Sequence, residues 1–195
     1  MLTQKGTQTL TTARLTLRRF TPEDAEAMYE TWANDERVTR YLTWEPHRSP
    51  AETRQLLECW RTAYDDPRTY NWAMEFEGHL IGNVSVVHLD EQSEYADLGY
   101  CMGYAYWNRG LMTEAVKAVI DYLFEEVGVN RVGIVHATKN PASGRVAQKC
   151  GGTYEGTKRE YYKRHGEFLD IAEYGILRSD WEAKKELAKR QAAHG

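Results

Sequence analysis

Cysteine is scarce in this 195-residue chain: Cys59, Cys101 and Cys150 are the whole set, odd in number and far apart. That excludes a disulfide framework and a C-x-x-C metal site, and leaves three small core residues. Only five prolines occur, and no Pro/Gly/Ser-rich stretch divides the chain, so a single domain is expected over residues 1–195, with a core at about 10–181, a flexible N-terminus and a polar C-terminal helix. No apolar run approaches the length of a bilayer span, and the opening MLTQKGTQTLTTAR lacks a hydrophobic signal region, so no membrane partner is expected and the protein reads as cytoplasmic. Within a net charge of −4 the lysines and arginines are scattered, which argues against nucleic acid and weakly suits a cationic substrate. His47, His79, His88, His136, His165 and His194 form no H-E-x-x-H pair, so metal catalysis is not indicated. Internal repeats are absent, as are G-x-x-x-x-G-K-[ST] and G-x-G-x-x-G, which leaves ATP and NAD poorly supported.

What the chain does have is a glycine-bearing loop, YAYWNRGLMTEA at residues 104–115, between a β-like run, YADLGYCM, and a helical one reaching Gly128. A strand, a tight loop and a helix N-terminus in that order gather unpaired backbone N–H groups at the positive end of a helix dipole, and so suit a phosphate-bearing ligand. Around this loop the periodicities alternate in an α/β manner. Residues 14–20 alternate like a strand, and Thr21-Pro22-Glu23-Asp24 opens a helix to about Ala33. A second helix is expected from Ser49-Pro50. Residues 71–76 and 79–89 read as a hairpin turning at Glu77-Gly78. A buried strand at 131–138 precedes Asn140-Pro141, which starts a short helix ended by Gly151-Gly152. Two more strands, at about 153–163 and 168–178, and a polar helix from Asp180 complete the order.

Four segments in this order resemble the GNAT superfamily of N-acetyltransferases, in the branch of the RimJ/RimL-type enzymes that acetylate ribosomal proteins. They are LTTARLTLRRFTPEDAEAMY, YADLGYCM with WNRGLMTEA, NPASGRVAQKCGG, and EGTKREYYKRHGEFLDIAEYGILRSDW. The third segment is similar to N-x-x-S-x-R-V-x-x-K-x-G-F, with Gly152 in the aromatic position. The loop departs from the general [QR]-x-x-G-x-[GA] pattern at Trp107 and Met112. A cradle of backbone N–H groups tolerates this, since only Gly110 must permit close approach or an unusual φ. The resemblance implies an α/β (α+β) fold: a mixed, mostly antiparallel twisted sheet of about seven strands flanked by helices and splayed between strands four and five.

It also implies an activity, direct acetyl transfer from acetyl-CoA to a primary amine, with no metal. The amine must lose a proton, an oxyanion must be stabilised, and the departing thiolate, with a pKa of about 8.5, needs modest help. By the resemblance, pantetheine would lie against Tyr100, Cys101 and Met102, and the pyrophosphate would meet the N–H groups of Arg109, Gly110, Leu111, Met112 and Thr113. Asn140 matches the residue that bonds the pantetheine arm, although Asn before Pro is also ordinary turn chemistry. Ser143 matches a general acid that contacts cofactor, or is simply a first-turn serine. Asp97 occupies the position of a catalytic glutamate in related histone acetyltransferases, on one strand face with Tyr95, Gly99 and Cys101; Glu160 is the second candidate base. Tyr41, Trp44, Tyr95 and Tyr162 are candidate acceptor-pocket residues or ordinary packing aromatics. The acceptor stays open between a protein N-terminus and a small-molecule amine, and relatives are monomers or homodimers. A non-catalytic acyl-CoA-binding or regulatory module of the same fold is the alternative.

Overall fold

The computed structural model describes residues 1–192; His194 lies outside them. Eight strands form one sheet in the order β1-β2-β3-β4-β5-β6-β8-β7. They are β1 (Leu10–Thr11), β2 (Leu15–Arg18), β3 (Asn71–Phe76), β4 (His79–Asp90), β5 (Tyr95–Met102), β6 (Arg131–Ala137), β7 (Thr153–Arg164) and β8 (Glu167–Leu177). The strand beyond the expected seven is β1, two residues that pair with Leu17 and Thr16 of β2. Every neighbouring pair is antiparallel except β5 with β6. A parallel pair needs a crossover, and α4 (Leu111–Tyr122) supplies it.

Helices cover both faces. Against one lie α1 (Ala25–Met28), α2 (Glu36–Thr39) and α3 (Pro50–Ala63), where Phe20, Met28, Trp32 and Leu57 bury against Ala73 and Leu80 of the sheet. On the other, α4 buries Leu111, Met112, Ala115, Val116, Val119 and Ile120 over Trp72, Met74, Leu98 and Ile134. That spacing is the single apolar stripe of an amphipathic helix. The helix expected to run to Gly128 changes at Leu123–Val127 to a wider turn and stops at Gly128, whose φ of 91° is left-handed. α5 (Pro141–Lys149) follows β6, and α6 (Arg178–Ala192) docks through Trp181, whose ring lies tilted 5.2 Å from that of Phe124. Among the described residues no helix is long and apolar enough to cross a membrane.

The feature that positions the site is where β5 and β6 stop pairing. Their register runs from Tyr95↔Arg131 to Leu98↔Ile134, yet β5 continues to Met102 and β6 to Ala137, so the strands diverge as a wedge. Beside that point β4 carries a bulge between Val86 and His88, with Val87 as the extra residue opposite Leu98 and Asp97. An inserted residue bends a strand and increases its twist, which leads β5 away from β6.

Residues 1–9 are hydrogen-bonded to the sheet and to the helical segment that follows β5. The N–H of Thr3 donates to Val127 O (2.8 Å), the Trp72 indole to Gln8 O (2.7 Å) and the Tyr122 hydroxyl to Gly6 O (2.8 Å), and Thr7 is buried. Buried aromatic donors require acceptors, and the polar tract supplies them from its backbone, which hydropathy does not reveal.

Candidate active site

The loop after β5 is shaped by two left-handed residues, Asn108 (φ 59°) and Gly110 (φ 76°). Gly110 stands at the N-cap of α4, whose first backbone bond runs from Glu114 N–H to Gly110 O (3.1 Å). The N–H groups of residues 111–113 therefore leave the helix end without intrahelical partners. Leu111 and Met112 turn their side chains into the core, 0% and 7% exposed. Burying two such side chains, roughly 1.5–3 kcal/mol each, outweighs a left-handed strain of about 1–2 kcal/mol at Asn108. What these residues leave for a ligand is backbone. The Trp107 indole donates to Met102 O (2.7 Å), pinching the loop onto the strand end and giving the departure from [QR] a structural purpose. Arg109 lays its guanidinium 4.8 Å above the Phe76 ring.

Sequence reasoning missed Arg14 and Asn108. Arg14 clamps the loop from the far edge of the sheet: Nε donates to Glu114 (2.7 Å) and Nη1 to Arg109 O (3.0 Å), while Thr12 and the Arg14 N–H also donate to Glu114. These bonds hold the Glu114 carboxyl below the usual carboxylate range against its own burial. Asn108 carried a signal, because asparagine is the side chain that best tolerates the left-handed region.

At the wedge, Tyr100 points from β5 toward α5. Its hydroxyl donates to Ser143 O (3.0 Å) and accepts from Ser143 Oγ (3.0 Å), and burial raises the phenol pKa. Cys101 points to the other face, where its thiol donates to Asn83 Oδ1 (2.9 Å) and burial pushes it up to about 12. Met102 is in the core. Asn140 caps α5, accepting from Ser143 N–H (3.4 Å), with Pro141 in the first helical position. Its turn chemistry is thus realised, and it stands next to the wedge as well. Behind Ser143, the His136 ring stacks on Tyr174 (5.7 Å between centroids) and faces α5 where Gly144 has no side chain. A Cβ there would lie 2.6 Å from His136 Nε2, so glycine is required at 144.

The opposite face of the wedge carries Asp97 and Tyr95, as strand alternation predicts. The Tyr95 hydroxyl donates to Asp97 Oδ1, and both lie flat on the sheet because Gly133 opposite has no Cβ to obstruct them. Burial and the Asp97 charge raise the Tyr95 phenol pKa. Asp97 pairs with Gly133, one residue before the last β5–β6 pair. Glu160 is not brought to this place. It sits in a bulge of the edge strand β7 at φ 47°, its N–H donating to Asp170 (2.8 Å), with β8 and β6 between it and β5. The bulge, invisible to strand periodicity, puts its side chain in solvent.

The segment between α2 and α3 faces the same side and is clasped by β7. Tyr162 donates to the carbonyls of Tyr41 (3.2 Å) and Leu42 (3.1 Å). Arg164, only 8% exposed, donates to Trp44 O (2.8 Å), Thr39 O (3.3 Å) and the Glu45 carboxylate. Tyr41 and Tyr162 pack on Ala137, Leu169 and Ile171 beside the wedge, so these two are brought together. The Trp44 side chain packs instead on the helical layer of Phe20 and Trp32, 5.4 Å from the His47 ring. Arg164 was also missed, since an arginine in a strand reads as a solvated residue until its partners are known.

A mixed sheet opened between its parallel strands, with amides bared at a helix start beside the opening, defines an acetyltransferase fold. Residues 14–153 match the family described as acetyltransferase (GNAT) domain, and the chain belongs to that family. Among curated relatives, "Uncharacterized N-acetyltransferase YoaA" of Bacillus subtilis is 33% identical over 171 residues, covering 87% of this chain and 96% of its own. "Putative ribosomal N-acetyltransferase YdaF" of the same organism is 30% identical over 174 residues, covering 88% and 95%. That name refers to ribosomal acetylation, as does the branch the four motifs resemble. A solved structure described as a probable acetyltransferase superposes with a TM-score of 0.82 at 28% identity, covering 89% of this chain and 99% of that one.

Proposed function

We propose that this acetyltransferase moves an acetyl group from acetyl-CoA directly to a primary amine. The observation that carries the reading is the wedge itself: α4 bares its amides at one end of it, and Ser143 stands at the start of α5 beside it. The N–H groups of residues 109–113 would hold the pyrophosphate, because backbone donors at a helix start suit an anion of that shape. The β5 edge at Tyr100, Cys101 and Met102 would lie along pantetheine, with Asn140 as a further polar contact. Ser143 is the proton donor for the departing sulfur. On the other face, Asp97 is the base that takes the amine proton, with Tyr95 orienting its carboxylate. Tyr41, Tyr162 and the loop carrying Trp44 wall the acceptor pocket. Glu160, being solvated on an edge strand, drops behind Asp97 as a base. A protein N-terminus is the favoured acceptor, by analogy with the ribosomal acceptor in the name of YdaF; a small amine is the other.

Thiol release from acetyl-CoA, measured against an amine panel that includes Ala- and Ser-starting peptides, tests this. At least one peptide should raise release above the amine-free rate. Tight CoA binding with no amine-dependent release would refute the transfer reading, and stimulation confined to small amines would refute the peptide acceptor.

A further inference from the structure

In the hydrogen-bonded arrangement at the wedge, Ser143 spends its one hydroxyl proton on Tyr100 Oη, and Tyr100 spends its own on the Ser143 carbonyl. Each hydroxyl has a single proton to donate. A sulfur arriving beside Ser143 would therefore meet lone pairs rather than a donor. The pair has a second arrangement available without moving either backbone. Tyr100 turns its O–H to Ser143 Oγ, and Ser143 turns its O–H outward, so that both protons point one way.

We propose that Tyr100 is a positioning residue for acetyl transfer: by donating to Ser143 Oγ it frees the Ser143 proton to turn from Tyr100 to the departing sulfur, and it replaces the proton that Ser143 gives up. The inference rests on the role given to Ser143 above. As the C–S bond breaks with its electron pair on sulfur, the Ser143 Oγ–H bond breaks and S–H forms. The Tyr100 Oη–H bond breaks in turn and a new Oγ–H forms. The phenolate left behind takes up, through solvent, the proton released by the amine, so that no charge accumulates and nothing is oxidised. Burial of Tyr100 keeps it protonated until it is needed, and Cys150 is the other titratable group near its hydroxyl.

A tyrosine that merely braced α5 against β5 would predict something else for Tyr100→Phe, which keeps the ring packing and removes both bonds. Bracing alone would raise KM for acetyl-CoA and spare kcat. The relay lowers kcat about tenfold with KM for acetyl-CoA within about twofold. It also makes the double variant Tyr100→Phe/Ser143→Ala no slower than Ser143→Ala, since the two hydroxyls act as one unit. An unchanged kcat in Tyr100→Phe, or losses that multiply in the double variant, would overturn the proposal. A second readout needs no turnover. In the complex with CoA alone, the ultraviolet absorbance of the bound thiolate gives the thiol's ionisation, and Tyr100→Phe and Ser143→Ala should each raise its apparent pKa by about half a unit or more. If the parent binds CoA but acetylates no amine, the transfer reading fails while this titration still decides: a shift in both variants supports the coupled hydroxyls, and no shift in Tyr100→Phe overturns them.

Discussion

The two sides of the wedge differ in how far along the chain their shaping bonds reach. On the proposed cofactor side the turn and the helix starts are set locally, by Trp107 to Met102, Ser143 N–H to Asn140 and the left-handed Gly110, with Arg14 adding one remote clamp on Glu114 and Arg109. On the proposed acceptor side the bonds are remote throughout, Tyr162 and Arg164 gripping carbonyls of residues 39–44 from about 120 positions along the chain. A pyrophosphate needs only a cluster of amides, which a few consecutive residues can make. An amine acceptor needs side chains of particular shape, and those of the proposed pocket come from segments that meet only in the folded sheet. Such a division lets the acceptor side change while the cofactor side stays as it is.

The sharpest way to break this comparison is Arg164→Met. It leaves Glu45 and two carbonyls without their donor and should cost about 2–3 kcal/mol in urea unfolding, low for a buried ion pair because Glu45 is exposed. Amine KM should rise while CoA affinity holds; equal losses in both would mean that the two sides are one mechanical unit. Gly110→Ala is the converse. A Cβ there meets only Arg14 Nη2 at 3.5 Å, so the cost is the left-handed φ rather than a clash, and CoA should bind about tenfold more weakly with amine KM unaffected. Tyr162→Phe removes the one hydroxyl proton shared between the Tyr41 and Leu42 carbonyls and keeps the ring. It should cost about 1 kcal/mol and raise amine KM a few-fold, and a change in CoA affinity instead would reverse the assignment of the two sides.

The smallest expected effect is a pH slope. Burial lowers the pKa of His47, which anchors the segment between α2 and α3 through its backbone N–H to Ala33 O (2.8 Å) and Nδ1 to Thr53 (2.7 Å). Because the folded pKa is depressed, the unfolded chain binds the proton first. Stability is then complete above the ordinary imidazole pKa of about 6.5 and declines as pH falls through it. His47→Gln should flatten the difference in urea midpoint between about pH 7.5 and 5.5; an undiminished slope would place its origin elsewhere.

How much was legible follows the same line. Hairpin, helix starts and helix stops were readable because Gly78, Pro22, Pro50, Pro141 and Gly128 act on their own φ and on their nearest hydrogen bonds. Strand alternation gave the face of Asp97 correctly. It could not give the position of Glu160, because the bulge between Lys158 and Tyr162 resets the alternation without changing composition. Nor could it show Gly133 and Gly144 as spaces, kept clear for the Tyr95–Asp97 pair and for the His136 ring, since each answers to a residue on another element.

Residues 104–115 and 140–151 by themselves determine a strand end, a left-handed turn, two helix starts and their bared or capped amides, because dihedral preference and i-to-i+4 bonding act over a few residues. The pairing of Tyr100 with Ser143, 43 positions apart, the place of Glu160 in an edge-strand bulge and the Arg164 clasp are decided by the tertiary structure. They depend on register across several strands and on where the bulges fall, and a one-residue slip in a strand turns that strand's side chains to the other face of the sheet.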